Sequence, residues 1–340
     1  MKAFLDPRQI EHDPKYFMRS GAIAPNPEQP RRIEILKDGA TEAGCLFSEP
    51  IDMGIQHIAK VHSPQYLTFL KNIHQRWTRI PGGGDEVVPN IHPRARLDGY
   101  PKSAVGQAGY HQADTACPIA QHTWKSAYWS AQSALNGADY ITKSGHSAYV
   151  LSRPPGHHAY SDQAGGFCFL NNSAIAAEYL LSQGLRPTIL DVDVHHGNGT
   201  QGIFYQRNDV LTVSLHANPE RFYPFFWGYE QEKGEGLGLG YNLNLPLARA
   251  TGDGDFLDAL DLGLERVRNF GSDVIVVALG LDASIDDPFE GLAVTQNGFE
   301  KIGARISTLG LPCLMVQEGG YISDSLGINL TRFLKGIQSA

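Results

Sequence analysis

Cysteine is scarce and scattered. The 340 residues hold four, Cys45, Cys117, Cys168 and Cys313, with no Cys-x-x-Cys pair among them. That excludes a thiolate-framed zinc site and a disulfide scaffold, and it reads as reduced thiols in a cytoplasmic protein. Runs of Lys or Arg are also missing, and the formal net charge is −8, so no nucleic-acid surface is expected. The longest apolar runs, such as Val274 to Leu279, have strand length and are far too short to span a bilayer. The opening residues, Met1 to Phe17, carry no apolar signal-peptide core, so no membrane association is expected.

What the chain does contain is enough apolar material for a large core, with 42% hydrophobic and only 19% charged residues. From about residue 120 two patterns alternate. β-Branched apolar runs predict strands over 148–151, 188–194, 210–215, 273–281 and 313–317. Helix-like stretches lie between them, over 123–143, 171–183, 254–270, 296–309 and 325–337. Near-continuous apolar strands alternating with amphipathic helices predict an α/β fold, a mostly parallel sheet covered on both faces. The N-terminal third is less regular, with helices predicted over 31–43 and 64–78. No linker divides the chain, so one domain over 1–340 is expected, with a Pro/Gly-rich insertion at about 81–102. Such a loop is either functional or a disordered surface insertion.

Ligands of open α/β sheets bind beyond the carboxyl ends of the strands, and four predicted strand exits carry unusual clusters. In Asp191-Val-Asp193-Val-His195, strand alternation would put two carboxylates and an imidazole on one face. That is costly unless a cation or a hydrogen-bond network compensates. The alternative is a polar strand end capping the next helix through Asn198 or Thr200. Asp282 ends another apolar run, and two Asp with one His form an O/N ligand set suited to Zn²⁺, with Fe²⁺ or Co²⁺ not distinguished. His157 and His158 follow Arg153-Pro-Pro-Gly, a loop that would have to turn both imidazoles the same way for acid–base work. Glu318-Gly-Gly-Tyr321 places a phenol where it could donate to a developing oxyanion. Taken singly, the His pair and Tyr321 have ordinary surface or packing explanations.

In this order the four clusters resemble the arginase–deacetylase superfamily, and within it the zinc histone deacetylases and acetylpolyamine amidohydrolases. The stretches GGFCFLNN (165–172) and VSLHANPERFYP (213–224) match as well. The resemblance implies an eight-stranded sheet and one Zn²⁺ per chain on Asp193, His195 and Asp282. It makes His157 and His158 the catalytic histidines, with Asp191 and Asn198 as their partners, and Tyr321 the carbonyl-polarising phenol. Gly166 and Phe167 would line the acyl channel opposite Tyr223. A structural K⁺ would sit on Asp191, Ser214 and the backbone carbonyls of Asp193, His195 and Leu215. Because Asn198 is a neutral amide, His158 is expected to be the general base, while His157, backed by Asp191, is a charged partner.

The resemblance further implies hydrolysis of an acetamide to acetate and free amine, with a small cationic acetylated polyamine or diamine as substrate. Asp114 would face the distal ammonium, unless it is simply a helix N-cap, and the 81–102 loop would form a homodimer and narrow the entrance. Tyr16, Phe17 and residues 25–30 would supply the rest of the rim. Acetyl-lysine in proteins is the alternative substrate, and a non-catalytic binding module a remoter one. A dinuclear manganese ureohydrolase is disfavoured by the Asp-x-Asp-x-His order and by Ala-Ser after Asp282.

Overall fold

A computed structural model describes residues 1–93 and 99–339. Its strands are β1 (Lys2–Phe4), β2 (Tyr16–Arg19), β3 (Ala22–Pro25), β4 (Leu46–Ser48), β5 (Ala148–Val150), β6 (Pro187–Asp191), β7 (Leu211–Ala217), β8 (Asn242–Leu247), β9 (Val274–Leu279) and β10 (Cys313–Gln317). The helices are α1 (Arg31–Glu42), α2 (Pro64–Trp77), α3 (Ala104–His111), α4 (Thr123–Ser144), α5 (Asn172–Ser182), α6 (Asn198–Phe204), α7 (Asp253–Phe270), α8 (Gln296–Ser307) and α9 (Leu326–Ile337).

Eight strands form one sheet in the order β4-β1-β5-β10-β9-β6-β7-β8, and every adjacent pair is parallel. Alternation along β9 explains the burial of both faces. Ile275, Val277 and Leu279 join a core with α1, α7, α8 and α9. Val274, Val276 and Ala278 join the opposite core with α2, α4 and α5. No helix among the described residues is long and apolar enough to cross a membrane.

Local chemistry sets the helix boundaries. The Ser63 hydroxyl accepts from Tyr66 N at 3.2 Å ahead of Pro64, and Asn171 and Thr295 cap α5 and α8 in the same way. Gly145 and Gly271 end α4 and α7 in the left-handed conformation.

The expected helices fall within a residue or two of the observed ones, but α3, α6, β2, β3 and β8 were not expected, and other parts of the molecule differ as well. The irregular N-terminal third supplies β4 at one edge of the sheet and its neighbour β1, each too short to carry a periodic signal. The strand expected over 188–194 stops at Asp191, so Asp193 and His195 lie in bends beyond it. Neither Asn198 nor Thr200 caps a helix: α6 begins at Asn198 itself, and its N-cap Gly197 has no side-chain cap bond. Within the 81–102 insertion, Val87 is fully buried and pairs with Ile119. Residues 94–98 of the insertion lie outside the described residues.

Helices α8 and α9 touch through small residues. A Cβ at Gly303 would meet Phe333 O, with Ile337 N at 2.9 Å. We expect Gly303→Ala to lower stability by about 1–3 kcal/mol, read as a shift of the denaturant midpoint at constant slope. An unchanged midpoint would show that the two helices part without cost.

Candidate metal centre and active site

The exits of β5, β6, β9 and β10 lie on one edge because the strands are parallel, and there the chain trades ladder bonds for side-chain bonds. Asp191 Oδ1 accepts from Asp193 N at 3.0 Å, Asp193 Oδ1 from His195 N at 2.8 Å, and Asp282 Oδ1 from Val194 N at 3.1 Å. Each carboxylate thereby fixes the bend that carries the next group. The result brings Asp193, His195 and Asp282 together, all buried, with one ligand atom from each within 4.8 Å of the others.

This cluster fits a cation. Asp282 Oδ2 has no hydrogen-bond donor despite being fully buried. His195 Nδ1 lies 3.1 Å from Asp193 Oδ1 and 3.2 Å from Asp282 Oδ2. Burial alone would lower the His195 pKa, but the close approach of the two carboxylates pushes it up to about 9, the signature of a site short of positive charge. Glycine leaves room for it: a Cβ at Gly319 would strike the Asp282 carboxylate, and one at Gly280 the Asp193 carboxylate.

His157 and His158 sit on one turn with ring centroids 4.0 Å apart, so the Pro-Pro-Gly loop does present both imidazoles together. His157 Nδ1 is 2.9 Å from Asp191 Oδ2, and His158 Nδ1 is 2.6 Å from Asn198 Oδ1. Their surroundings push them apart in acidity. Burial opposes charge on His157, but Asp193 and Asp191 outweigh it and raise its pKa well above 6.5. Burial, then the neighbouring His157 and His195, drive His158 well below 6.5. Tyr321 is buried among Phe289, Phe167 and the Arg32 guanidinium. Burial and nearby Asp282 keep its phenol protonated, with its pKa well above the ordinary value.

Sequence reasoning missed what holds these loops. Glu318 accepts from Gly156 N at 2.6 Å and His157 N at 3.0 Å, tying the β10 exit to the histidine turn. Burial first, tempered by His157 and those amides, raises the Glu318 pKa to about 7. Arg32 donates to Gly320 O at 2.6 Å and Glu318 O at 2.7 Å. The buried Glu28 carboxylate joins Arg32 at 2.7 Å to Arg153 at 2.8 Å. Asp287 accepts from Tyr321 N at 3.1 Å. The i,i+4 spacing of Glu28 and Arg32 was the one available signal, and it reads equally well as a surface pair.

A cavity of about 490 Å³ leads to the cluster, and Phe17, His157, His158, Gly166, Phe167, His195, Tyr223 and Tyr321 are among its lining residues. Phe167 adopts a left-handed φ of 67°, a conformation unusual for a bulky side chain and typical of sites under functional constraint. The Tyr223 ring lies edge-on to His158 at 4.9 Å. Asp114 lines the cavity, but it is not a helix N-cap. It follows α3, and its carboxylate accepts from Tyr223 Oη at 2.6 Å, Gly166 N at 3.1 Å and Ala116 N at 2.8 Å. Of the expected potassium residues, Asp191 and Ser214 are register partners on β6 and β7, with Leu215 next along β7. The Ser214 hydroxyl is engaged with His216 Nδ1 at 2.8 Å.

The histone deacetylase domain model matches residues 26–337. This chain belongs to the histone deacetylase domain family. Among its relatives in that family is an acetylpolyamine amidohydrolase of Burkholderia pseudomallei, 44% identical over 99% of this chain and 98% of the relative. Another, acetylpolyamine amidohydrolase 1 of Pseudomonas aeruginosa, is 43% identical over 94% of each. A solved acetylpolyamine aminohydrolase from Burkholderia pseudomallei superimposes with a TM-score of 0.97 at 43% identity, over 100% of this chain and 99% of that one. The HD domain of HDA15 superimposes with a TM-score of 0.82 at 27% identity, covering 100% of this chain and 91% of the other. As a deacetylase-domain protein, the chain uses a metal cofactor.

Gly319→Ala should cost this deacetylase-domain protein its metal. We expect bound metal, measured by elemental analysis after dialysis, to fall severalfold while circular dichroism stays native. Full retention of metal would contradict the reading that Gly319 leaves room for the cluster.

Proposed function

We propose that the protein is a zinc-dependent hydrolase that removes acetyl groups from acetylated polyamines and diamines. The observation that carries the chemistry is the convergence in one cavity of the Asp193–His195–Asp282 cluster with His157, His158 and Tyr321. The substrate class is supported by similarity along nearly the whole chain to proteins named for acetylpolyamine hydrolysis. It is supported too by a cavity lined by aromatic rings, suited to a slender chain.

A zinc ion held by Asp193, His195 and Asp282 would supply Lewis acidity and make water nucleophilic at neutral pH. The chain's own groups carry the rest. Tyr321, kept protonated, donates its Oη proton in a hydrogen bond to the acetamide oxygen as negative charge builds there. His158, unprotonated and oriented by Asn198, accepts the water proton at Nε2 and returns it to the departing amine. His157, charged against Asp191, stabilises the anionic intermediate. Phe167 and Tyr223 wall the acyl channel and keep bulk water out.

We assign a structural K⁺ to Asp191, Ser214 and the carbonyls of Asp193, His195 and Leu215, where the register of β6 and β7 supports it. A homodimer formed through the 81–102 insertion is also proposed. Four buried, unpaired thiols suit a cytoplasmic setting.

N-acetylputrescine or N-acetylcadaverine should show kcat/KM at least tenfold above an acetyl-lysine peptide, and parity or reversal would overturn the polyamine reading. His158→Ala should lose on the order of 10²–10⁴ in kcat, as expected for a general base, and more than His157→Ala. The reverse order would exchange their roles. Because the base acts unprotonated and His158 is held well below 6.5, kcat/KM should persist as pH falls through 6.5 and decline only at lower pH. A decline centred at or above 6.5 would contradict His158 as the base.

A further inference from the structure

One carboxylate of the Pro/Gly-rich insertion, Glu86, is turned towards the hairpin of β2 and β3, and its backbone is fixed on both sides. Before it, Asp85 O lies 3.0 Å from His74 Nε2 on α2. After it, Val87 exchanges backbone bonds with Ile119 at 3.0 and 3.1 Å, and its carbonyl also accepts from Gln112 Nε2 at 3.0 Å. From this base the half-buried Glu86 side chain extends to the segment before β2, where Oε1 accepts from Lys15 N at 2.6 Å. Burial raises the Glu86 pKa, and the amides of Lys15 and Tyr16 draw it back, as expected of a carboxylate gathering backbone donors.

The hairpin is a two-stranded sheet apart from the main one. Its strands meet in register from Tyr16 opposite Pro25 to Arg19 opposite Ala22. Ser20 and Gly21 join them, with φ values of 51° and 79° that suit a tight primed turn. Both strands are largely exposed. An isolated two-stranded hairpin is marginally stable in water, so its position depends on what grips its root. Lys15 is that root: its N–H goes to Glu86, and its carbonyl accepts from Asn26 N at 3.0 Å across the hairpin. Two residues on, the Phe17 ring lies edge-on to Phe167 at 5.6 Å. Phe167 in turn stands 5.8 Å from Tyr321, and all three rings line the cavity.

Resting on the hydrolase reading, we propose that Glu86 is a positioning residue for the reaction. Its carboxylate fixes the root of the hairpin so that Phe17 buttresses Phe167 along the acyl channel. Phe167 needs a buttress because its φ of 67° is a conformation that a bulky residue holds only when its surroundings enforce it. Channel walls touch the substrate before and during the reaction alike, so a slackened wall weakens binding more than it slows the chemical step. The insertion thereby shapes substrate binding within one chain, apart from any contact it makes with a second copy.

The test measures kcat and KM with zinc-loaded wild type, Glu86→Ala, Glu86→Asp and Glu86→Gln, and with Phe17→Ala alone and combined with Glu86→Asp. The substrate is whichever of N-acetylputrescine and an acetyl-lysine peptide wild type turns over faster. KM should rise about threefold or more in Glu86→Ala and in Glu86→Asp, while kcat stays within about twofold. Glu86→Asp keeps the charge but is one methylene short, and it carries the test should Glu86→Ala not fold. Glu86→Gln keeps an acceptor oxygen at full reach and should hold KM within about twofold of wild type. In the Phe17→Ala background Glu86→Asp should raise KM no further, because the ring through which Glu86 acts is gone. An unchanged KM in Glu86→Asp, an equal rise in Glu86→Gln, a kcat loss as large as the KM rise, or effects that multiply across the two sites overturn this proposal and leave the hydrolase reading intact. No turnover of either substrate by wild type overturns both.

Discussion

Two carboxylates buried side by side, Asp193 and Asp282, are the constraint around which the site is built. Taking both out of water is costly, and their mutual repulsion in a low-dielectric interior adds to the cost. The chain offsets this with backbone amides from Val194, His195 and Gly319 and with the His195 imidazole. One oxygen, Asp282 Oδ2, is left without a donor. A network so nearly closed, and deficient only in positive charge, is suited to a metal rather than to rigidity alone.

The same field sorts the histidines. His157 stands nearest the carboxylates and is held in its charged form, while His158 meets two imidazoles and a neutral amide and is held uncharged. Two adjacent residues with one chemical identity are thus held in opposite protonation states. Beneath them, the Glu318 carboxylate gathers the amides of Gly156 and His157, and Arg32 grips the carbonyls on either side of Gly319. Glu28 joins Arg32 to Arg153, so the histidine turn and the Tyr321 turn share one anchor. Displacing either loop would strand a fully buried charge.

Much of this was readable in order along the chain. Helices α4, α5, α7, α8 and α9 announce themselves by amphipathic periodicity and by polar or glycine stops, and the central strands by β-branched apolar runs. The metal cluster, the histidine pair and Tyr321 were readable because a carboxylate or imidazole at the end of an apolar strand is expensive and therefore conspicuous. Strands β1 and β4 were not readable, since three residues show no period and, unlike β5, they lie outside the regular alternation of strands and helices. The reach of β6 was overestimated: alternation suggested that Asp191, Asp193 and His195 share a strand face. The strand instead yields to bends once their side chains supply the hydrogen bonds that the ladder would have made.

The sequence by itself determined the fold class, the candidate metal cluster and the family, because these depend on residue type at short spacing. Only the tertiary structure decided what each charged group does. Asp114, expected to face a substrate ammonium, lines the cavity with its oxygens accepting from Tyr223, Gly166 and Ala116, residues up to 109 positions away. Glu28, Arg32 and Glu318 looked like ordinary charges and prove to be the buried frame of the site. The reason is physical: the energy of a charge is set by how far it is from water and from other charges. Those distances exist only after the chain has folded.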